Sequence, residues 1–327
     1  METSGPSDPA QRDRPAISVA FPVWDEQEIL PALYAQVSAA LQQTGVTYEL
    51  VFVDNGSTDD SLRIIKDLAR RDTAVQFVSL SRNFGHQGGL LAGLHHSRGE
   101  AVITMDADLQ HPPALLPRMI ALWQQGYEVV YTTKRNYQMS PWRTLQVRAF
   151  YWLISKLSAL ELSFGQSDFR LLDRKVADQI IALPEYRKFL RGLVQWVGFR
   201  QTSLEYEVVE RHAGTSKFSF MSLLSFAVDG ILAFSFVPLR WSLFAGAFVA
   251  LLCLLYGVYT VAVGVLNLLG AGYALPPGWA TLFASALFLS SIQLLAIGLL
   301  SEYVGRIFEE SKRRPPFIVR EASSRHG

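Results

Sequence analysis

The stretch AVITMDADLQH, residues 101–111, decides the architecture: an apolar, β-branched run from Ala101 to Met105 leads straight into Asp106-Ala107-Asp108-Leu109-Gln110. A short buried strand ending in acid is the pattern of an open α/β sheet, where ligands gather at the carboxyl ends of the strands. Working outward, the same grammar recurs. ISVAFPV from Ile17 ends in Trp24-Asp25-Glu26, and YELVFV from Tyr48 ends in Asp54-Asn55-Gly56-Ser57-Thr58-Asp59. VQFVSL from Val75 and EVVYT from Glu128 are further short runs, and stretches of helical period such as Glu26–Gln43 and Ser61–Arg71 separate them. The alternation predicts a parallel or mostly parallel α/β sheet over about Ile17–Tyr131. Beyond Pro141 the period is helical for about twenty residues, a loop is expected around Gly165–Arg170, and further helices and a short strand-like run near Leu204–Val209 complete a domain over residues 17–217.

Residues 1–16 mix Pro, Ser, Gly and charge and have no apolar segment of signal-peptide type, so they read as a tail. The 30 Lys and Arg against 29 Asp and Glu rule out a bulk nucleic-acid binder, which would be strongly basic. The charges are unevenly placed: the 61 residues between Arg240 and Glu302 contain no Asp, Glu, Lys, Arg or His. Breakers at Gly270-Ala271-Gly272 and Pro276-Pro277-Gly278 divide them into two apolar segments, Trp241–Leu269 and Trp279–Ser301, each long enough to span a bilayer. Basic residues flank the pair on both outer sides and are missing from the loop between, so a two-helix hairpin over residues 238–305 with both termini cytoplasmic is expected. Residues 306–327 then form a cytoplasmic tail. Ahead of the hairpin, residues 218–237 carry Ser219, Ser222, Ser225 and Asp229 as one polar stripe on an apolar helix, which fits a membrane interface. Gly246, Gly257, Gly264 and Gly298 suit close helix packing and a homo-oligomer. The single Cys253 excludes an internal disulfide.

Chemistry concentrates at three strand ends. Asp106 and Asp108, two apart in an extended segment, would point the same way and face one hard cation. Mg²⁺ accepts one or two protein carboxylates and completes its shell with water and phosphate oxygens, so the pair suits a diphosphate leaving group. A surface turn is the plainer alternative. Asp54 reads either as an Asx turn or as a carboxylate holding a ribose hydroxyl or a base edge. Arg82-Asn83-Phe84-Gly85-His86-Gln87-Gly88-Gly89 lacks the glycine spacing of a dinucleotide site, and the six histidines show no zinc-ligand spacing.

Taken in order, Pro22-Val23-Trp24-Asp25-Glu26, Val53–Ser57, Ser81–Gly85, Asp106–Gln110 with Pro112-Pro113, Ser167-Asp168-Phe169-Arg170, Arg191-Gly192 and Gly214–Lys217 resemble glycosyltransferase family 2 enzymes of the polyprenyl-phosphate type. That group includes dolichol-phosphate mannose synthase and bacterial undecaprenyl-phosphate glucosyl- and aminoarabinosyltransferases. The likeness covers about residues 17–320. It implies an α/β, Rossmann-like fold of GT-A type, a nucleotide-diphosphate sugar donor, a polyprenyl phosphate acceptor and a bacterial cytoplasmic membrane setting. Pro22, Glu26 and Asp54 would hold the nucleoside. Asp106, Asp108 and Gln110 would organise Mg²⁺ or Mn²⁺ and the diphosphate, with Asp108 catalytic. Arg135, Arg143, Arg148, Arg170, Arg211 and Lys217 would grip donor or acceptor phosphates, and Asp168 would be an inward-facing acid or base, or else a salt-bridge partner. Three positions depart from the pattern: Trp24-Asp25 for Tyr-Asn, Asn55 for a second Asp, and His111 for Asp or Asn. The expected reaction inverts the anomeric centre. A processive polysaccharide synthase is disfavoured because Arg240-Trp241 lacks its Gln-x-x-Arg-Trp motif, Val237 standing where the Gln belongs. A membrane-tethered scaffold that binds nucleotide sugar without turnover is the non-enzymatic alternative.

Overall fold

The computed structural model describes residues 14–134, 166–186, 188–206, 237–270 and 278–323. They divide into two units: an α/β unit, to which residues 314–323 also belong, and a unit of two long helices.

Eight strands form one sheet: β1 (Ile17–Val23), β2 (Tyr48–Asp54), β3 (Val75–Leu80), β4 (Ala101–Thr104), β5 (Val129–Lys134), β6 (Gln166–Asp173), β7 (Gln201–Tyr206) and β8 (Val319–Ala322). Their order is β7-β5-β6-β4-β1-β2-β3-β8. β3, β2, β1 and β4 are parallel neighbours, which meets the Rossmann-like expectation. β6 lies antiparallel between β4 and β5, and β8 pairs antiparallel with β3. Connections leave β1 toward β2 on one side while β4 lies on the other, so a topological switch point falls between β1 and β4.

Side chains alternate across the sheet with the period of two that strands impose. Val19, Phe21, Leu50 and Phe52 face one layer, containing Leu30, Leu33, Val37 and Leu41 of α1 (Leu30–Gln42) and Leu116, Met119 and Ile120 of α4 (Leu116–Gln124). Phe21 stacks on Phe52 with centroids 4.8 Å apart. Ala20, Val51 and Val53 face the other layer, with Leu90 and Leu94 of α3 (Gly85–His96), Val176 and Ile180 of α5 (Arg174–Ala182) and Val194 of α6 (Leu190–Trp196). On the first side, α2 (Ser61–Arg71) adds the buried Ile65. α3 packs tightly on β1: a Cβ at Gly89 would stand 2.9 Å from the Pro22 Cβ, so only glycine lets the helix start this near the strand end.

The loop expected at residues 165–170 is a strand from Gln166 onward. Its buried charges conceal it from an apolar pattern: Asp168 and Arg170 are 4% and 2% exposed and bond to each other at 3.1 Å.

In the second unit, α7 (Val237–Leu268) and α8 (Gly278–Ser311) are each long and apolar enough to cross a membrane, at mean hydropathies of 2.3 and 1.6 over their candidate spans. Leu243, Phe244, Leu254, Leu294 and Leu295 are exposed, the opposite of a soluble core helix. A Cβ at Gly246, Gly257, Gly264 or Gly298 would meet nothing within 4 Å. α8 runs ten residues past the expected end of the second apolar segment, and part of the expected tail returns to the sheet as β8. The expected interfacial helix lies outside the described residues except for Val237, which begins α7.

One turn tests this packing. Gly56 has φ +73°, and a Cβ there would lie 2.7 Å from the Arg82 carbonyl carbon. Gly56→Ala is expected to cost at least about 1–2 kcal/mol from the left-handed backbone alone. Thermal unfolding in detergent should show a midpoint lowered by several degrees; an unchanged midpoint would refute the close approach.

Candidate active site

The carboxyl ends of β1 and β2 are built as one interlocked loop pair. Asp25, at φ 55°, accepts a hydrogen bond from the Thr58 amide at 2.7 Å, while its own amide donates to Ser57 Oγ at 3.2 Å. The Glu26 amide donates to Ser61 Oγ at 2.9 Å. Asp54, buried at the last position of β2, accepts from the Ser57 amide at 3.0 Å through Oδ1 and from Ser79 Oγ at 2.9 Å through Oδ2. The Asp54 side chain therefore closes a turn, through an amide three residues on. Each oxygen keeps a lone pair for a ligand hydroxyl, so the two sequence readings of Asp54 are compatible.

Asn55 explains its own departure from the pattern. Its amide nitrogen donates to Gly85 O at 3.0 Å and to Asn83 Oδ1 at 3.3 Å, and its oxygen accepts from the Phe84 amide at 2.9 Å. An aspartate would lose both donations. Asn55 thereby pins the loop that leads into α3.

β4 stops at Thr104 and a turn takes in Ala107 and Asp108, so Asp108 leaves the extended segment expected while Asp106 leads into the turn. Asp108 Oδ1 accepts from the Gln110 amide at 3.1 Å, and Leu109 takes φ +57°, an unfavourable conformation for a branched apolar residue. Asp106 Oδ1 is itself buried and makes no hydrogen bond. Burial raises the Asp106 carboxyl above its ordinary range, against the opposing pull of His86, Arg191 and Lys134. Beneath the turn, His111 is 2% exposed. Its Nδ1 accepts from the Asp106 amide at 3.3 Å, its Nε2 meets Ser167 Oγ at 2.7 Å, and its ring stacks on Phe169. Accepting at Nδ1 leaves the proton on Nε2, facing Ser167. Burial, helped by Lys134, lowers the imidazole to about 4, so it is neutral at physiological pH.

Because β6 runs antiparallel to β4, its beginning lies beside the end of β4. Thr104 Oγ1 donates to Asp168 O at 2.6 Å, which places Asp168 next to the acidic turn. Arg191 of α6 grips the Asp168 carboxylate with two bonds, Nε to Oδ1 at 3.0 Å and Nη2 to Oδ2 at 2.6 Å. Arg170 Nη2 adds a third at 3.1 Å, while its buried Nη1 makes no hydrogen bond. Burial would raise Asp168, but Arg191, His86 and Arg170 outweigh it and hold the carboxyl well below the usual range. Burial lowers Arg170 to about 10, leaving it charged at neutral pH. An anion so held is a poor proton acceptor, which favours the salt-bridge alternative for Asp168 over an acid–base role.

His86, the second residue of α3, stands between the two carboxylates: its Nε2 is 3.4 Å from Asp106 Oδ1 and 3.5 Å from Asp168 Oδ2. Burial disfavours its protonation, yet Asp168 and Asp106 together raise it above its ordinary value.

The structure therefore brings Asp106, Asp168 and Arg170 into one cluster, with Asp108 and Gln110 in the same turn and Pro22, Glu26 and Asp54 at neighbouring strand ends. Arg135, Arg143, Arg148, Arg211 and Lys217 lie outside the described residues. Among the described residues no group of three or more His, Cys, Asp or Glu side chains could hold a metal. His86 and Arg191 were not assigned roles from the sequence. Arg191 was discoverable as a cation in an ordered motif; His86 had only its place in the Ser81–Gly89 run.

Comparison with known proteins gives the family. Residues 18–181 match the model of Glycosyl transferase family 2, and residues 237–307 match that of the GtrB C-terminal hairpin. The bactoprenol glucosyl transferase of Shigella phage SfV is 39% identical over 306 residues, covering 93% of this chain and 98% of that protein. A prophage bactoprenol glucosyl transferase homolog of Escherichia coli K12 is 37% identical over 306 residues, with the same coverages. The Synechocystis glycosyltransferase sll0501, whose name gives no substrate, is 36% identical over 304 residues, covering 93% and 94%.

The neutral His111 carries a pH signature. Unfolded, an imidazole titrates near 6.5, whereas in the fold it titrates at about 4. Between those values the unfolded chain binds more protons, so stability falls as pH drops through the window, by up to about 3 kcal/mol. His111→Asn, measured by thermal unfolding in EDTA between pH 7 and pH 4, should lose less stability than wild type across this range. Parallel slopes would show that His111 is not held neutral.

Proposed function

The chain belongs to glycosyl transferase family 2, and we propose that it transfers a hexose-type sugar from a nucleotide diphosphate, UDP favoured, to a polyprenyl phosphate such as undecaprenyl phosphate. Family membership makes it a glycosyltransferase with a GT-A type sheet. The acceptor assignment is supported by the two relatives named bactoprenol glucosyl transferases. The observation that carries the reading is the meeting, at the ends of the interior strands β4 and β6, of an acidic turn and two arginines, the buried Arg170 and the half-buried Arg191: two anions must be brought together, and this site offers groups for each.

Pro22, Glu26 and Asp54 hold the nucleoside at the β1 and β2 ends. The acidic turn fits a divalent cation because Asp106 Oδ1 is buried without a hydrogen bond, a costly state that a cation relieves. Mg²⁺ or Mn²⁺ held by Asp106, Asp108 and Gln110 supplies, when bound, charge neutralisation for the diphosphate leaving group.

A lipid phosphate monoester has a second pKa near 6 and is largely ionised at neutral pH, so the nucleophile needs no strong base. This agrees with an Asp168 held ionised by arginines. In this reading Asp168 orients Arg170 and Arg191, and Arg170 Nη1 offers its two unused hydrogens to phosphate or sugar oxygens. Arg135, Arg143, Arg148, Arg211 and Lys217 complete the grip on phosphate. Attack from the face opposite the departing diphosphate inverts the anomeric carbon. α7 and α8 anchor the enzyme in the bacterial cytoplasmic membrane, with the catalytic unit and both termini on the cytoplasmic side, and their glycine-lined faces suit packing against another copy.

Purified protein in detergent, incubated with undecaprenyl phosphate, Mg²⁺ or Mn²⁺ and a panel of UDP- and GDP-sugars, should yield one glycolipid by mass spectrometry. EDTA should abolish it, and the product should carry the inverted anomeric configuration. No glycolipid from any donor would favour the non-catalytic scaffold, and retention would exclude the displacement described. In the same assay Asp108→Ala should lower turnover at least roughly hundredfold while the protein remains folded; near-wild-type rates would reject the metal assignment.

A further inference from the structure

The residues after α8 take part in no step described above, yet they hold the ground on which the donor side of the site stands. β8 covers the free edge of β3, with Val78 opposite Ala322, Ser79 opposite Glu321 and Leu80 opposite Val319. Ser79 is the residue whose hydroxyl donates to Asp54. The next segment of the chain, Ser81–Gly85, leads into α3 and so to His86. Both backbone polar groups of Ser81 are taken by the C-terminal segment: its amide donates to Ile318 O at 2.9 Å, and its carbonyl accepts from Arg320 Nη2 at 2.9 Å. Pro316 lies alongside α3, its carbonyl oxygen 3.6 Å from where a Gly88 Cβ would be, and Phe317 meets the His95 ring edge-on at 5.9 Å. Further along, Ser323 closes the pairing through its amide to Phe77 O at 2.9 Å and its hydroxyl to Gln76 Oε1 at 2.8 Å.

The loop is thus held from two directions. Asn55 fixes Asn83, Phe84 and Gly85 from inside the unit, while Ile318 and Arg320 fix Ser81 from the edge. Without the second hold, Ser81 would follow an unpaired edge strand, with its backbone groups open to water and few contacts to restrain it.

We propose that the Ile318 carbonyl and the Arg320 side chain are a positioning element of the donor-binding site, fixing the Ser81–Gly85 loop, which Asn55 ties to the end of β2, so that Asp54 is presented to the nucleotide. Arg320 is a positioning residue, since it touches Ser81 and not the reacting groups. The inference rests on the donor-site reading above. It makes nucleotide affinity depend on a segment joined to α8 by only the six residues 312–317.

The test compares full-length wild type, Arg320→Ala, Arg320→Lys and Glu321→Gln in detergent. Glu321 pairs by its side chain with Lys66, away from the loop, and serves as the control for general damage to β8. Hydrogen exchange of residues 81–88, calorimetric binding of UDP and GDP, and donor KM and kcat are measured. Binding of UDP or GDP by wild type tests the donor-site reading itself, and its absence would take this proposal down with that reading. Given binding, Arg320→Ala should speed exchange of residues 81–88 and raise nucleotide Kd and donor KM by roughly three- to tenfold, the worth of one solvent-exposed hydrogen bond. kcat should change less than about twofold. Arg320→Lys should recover part of the loss, and Glu321→Gln should do neither. Faster exchange with unchanged nucleotide affinity would overturn the proposal, as would equal effects from Glu321→Gln or a fall in kcat at constant KM.

Discussion

A carboxylate placed on an interior strand must be paired with positive charge, and much of the site follows from how this chain pairs Asp168. Burying one unpaired ion costs several kcal/mol. Here Arg191 supplies a two-pronged grip from α6 and Arg170 a third bond from the same strand. That pairing is what allows β6 to lie between β4 and β5, reversed in direction, and so to bring its first residues against the end of β4. The acidic turn and the cationic cluster meet because one strand runs backward.

The parallel half of the sheet was legible because its strands are near-continuous apolar runs ending in acid, the mark of strands covered on both faces. Asp106 and Asp108 were legible for the same reason, although the geometry behind the expectation was not: a tight turn, with Leu109 at positive φ, replaces the extended segment. β6 escaped notice because Ser167, Asp168 and Arg170 read as loop residues until their partners are known. His86 and Arg191 reach Asp168 from 82 and 23 residues away, and no local pattern announces a meeting at such distance. The resemblance supplied the ordered motifs, but a motif does not say which of its charges neutralise one another.

Two departures from the family pattern turn out to be conditions of the loop structure. Asn55 both donates and accepts, and its three bonds need an amide. His111 fills the floor beneath the acidic turn as a neutral ring, flat against Phe169, with one nitrogen for a backbone amide and the other for Ser167. A carboxylate there would add a third negative charge below two others.

The β3–β8 pairing also sets an order of events. Phe77 and Ser323 are joined across 246 residues, and both long apolar helices lie in the chain between them. During synthesis the edge of β3 therefore stays bare while α7 and α8 are made, an exposed template for pairing with another nascent chain. Contacts of such sequence separation form slowly. The sheet is finished only after both long helices have left the ribosome, so its outermost strand is the last element of the α/β unit to be made.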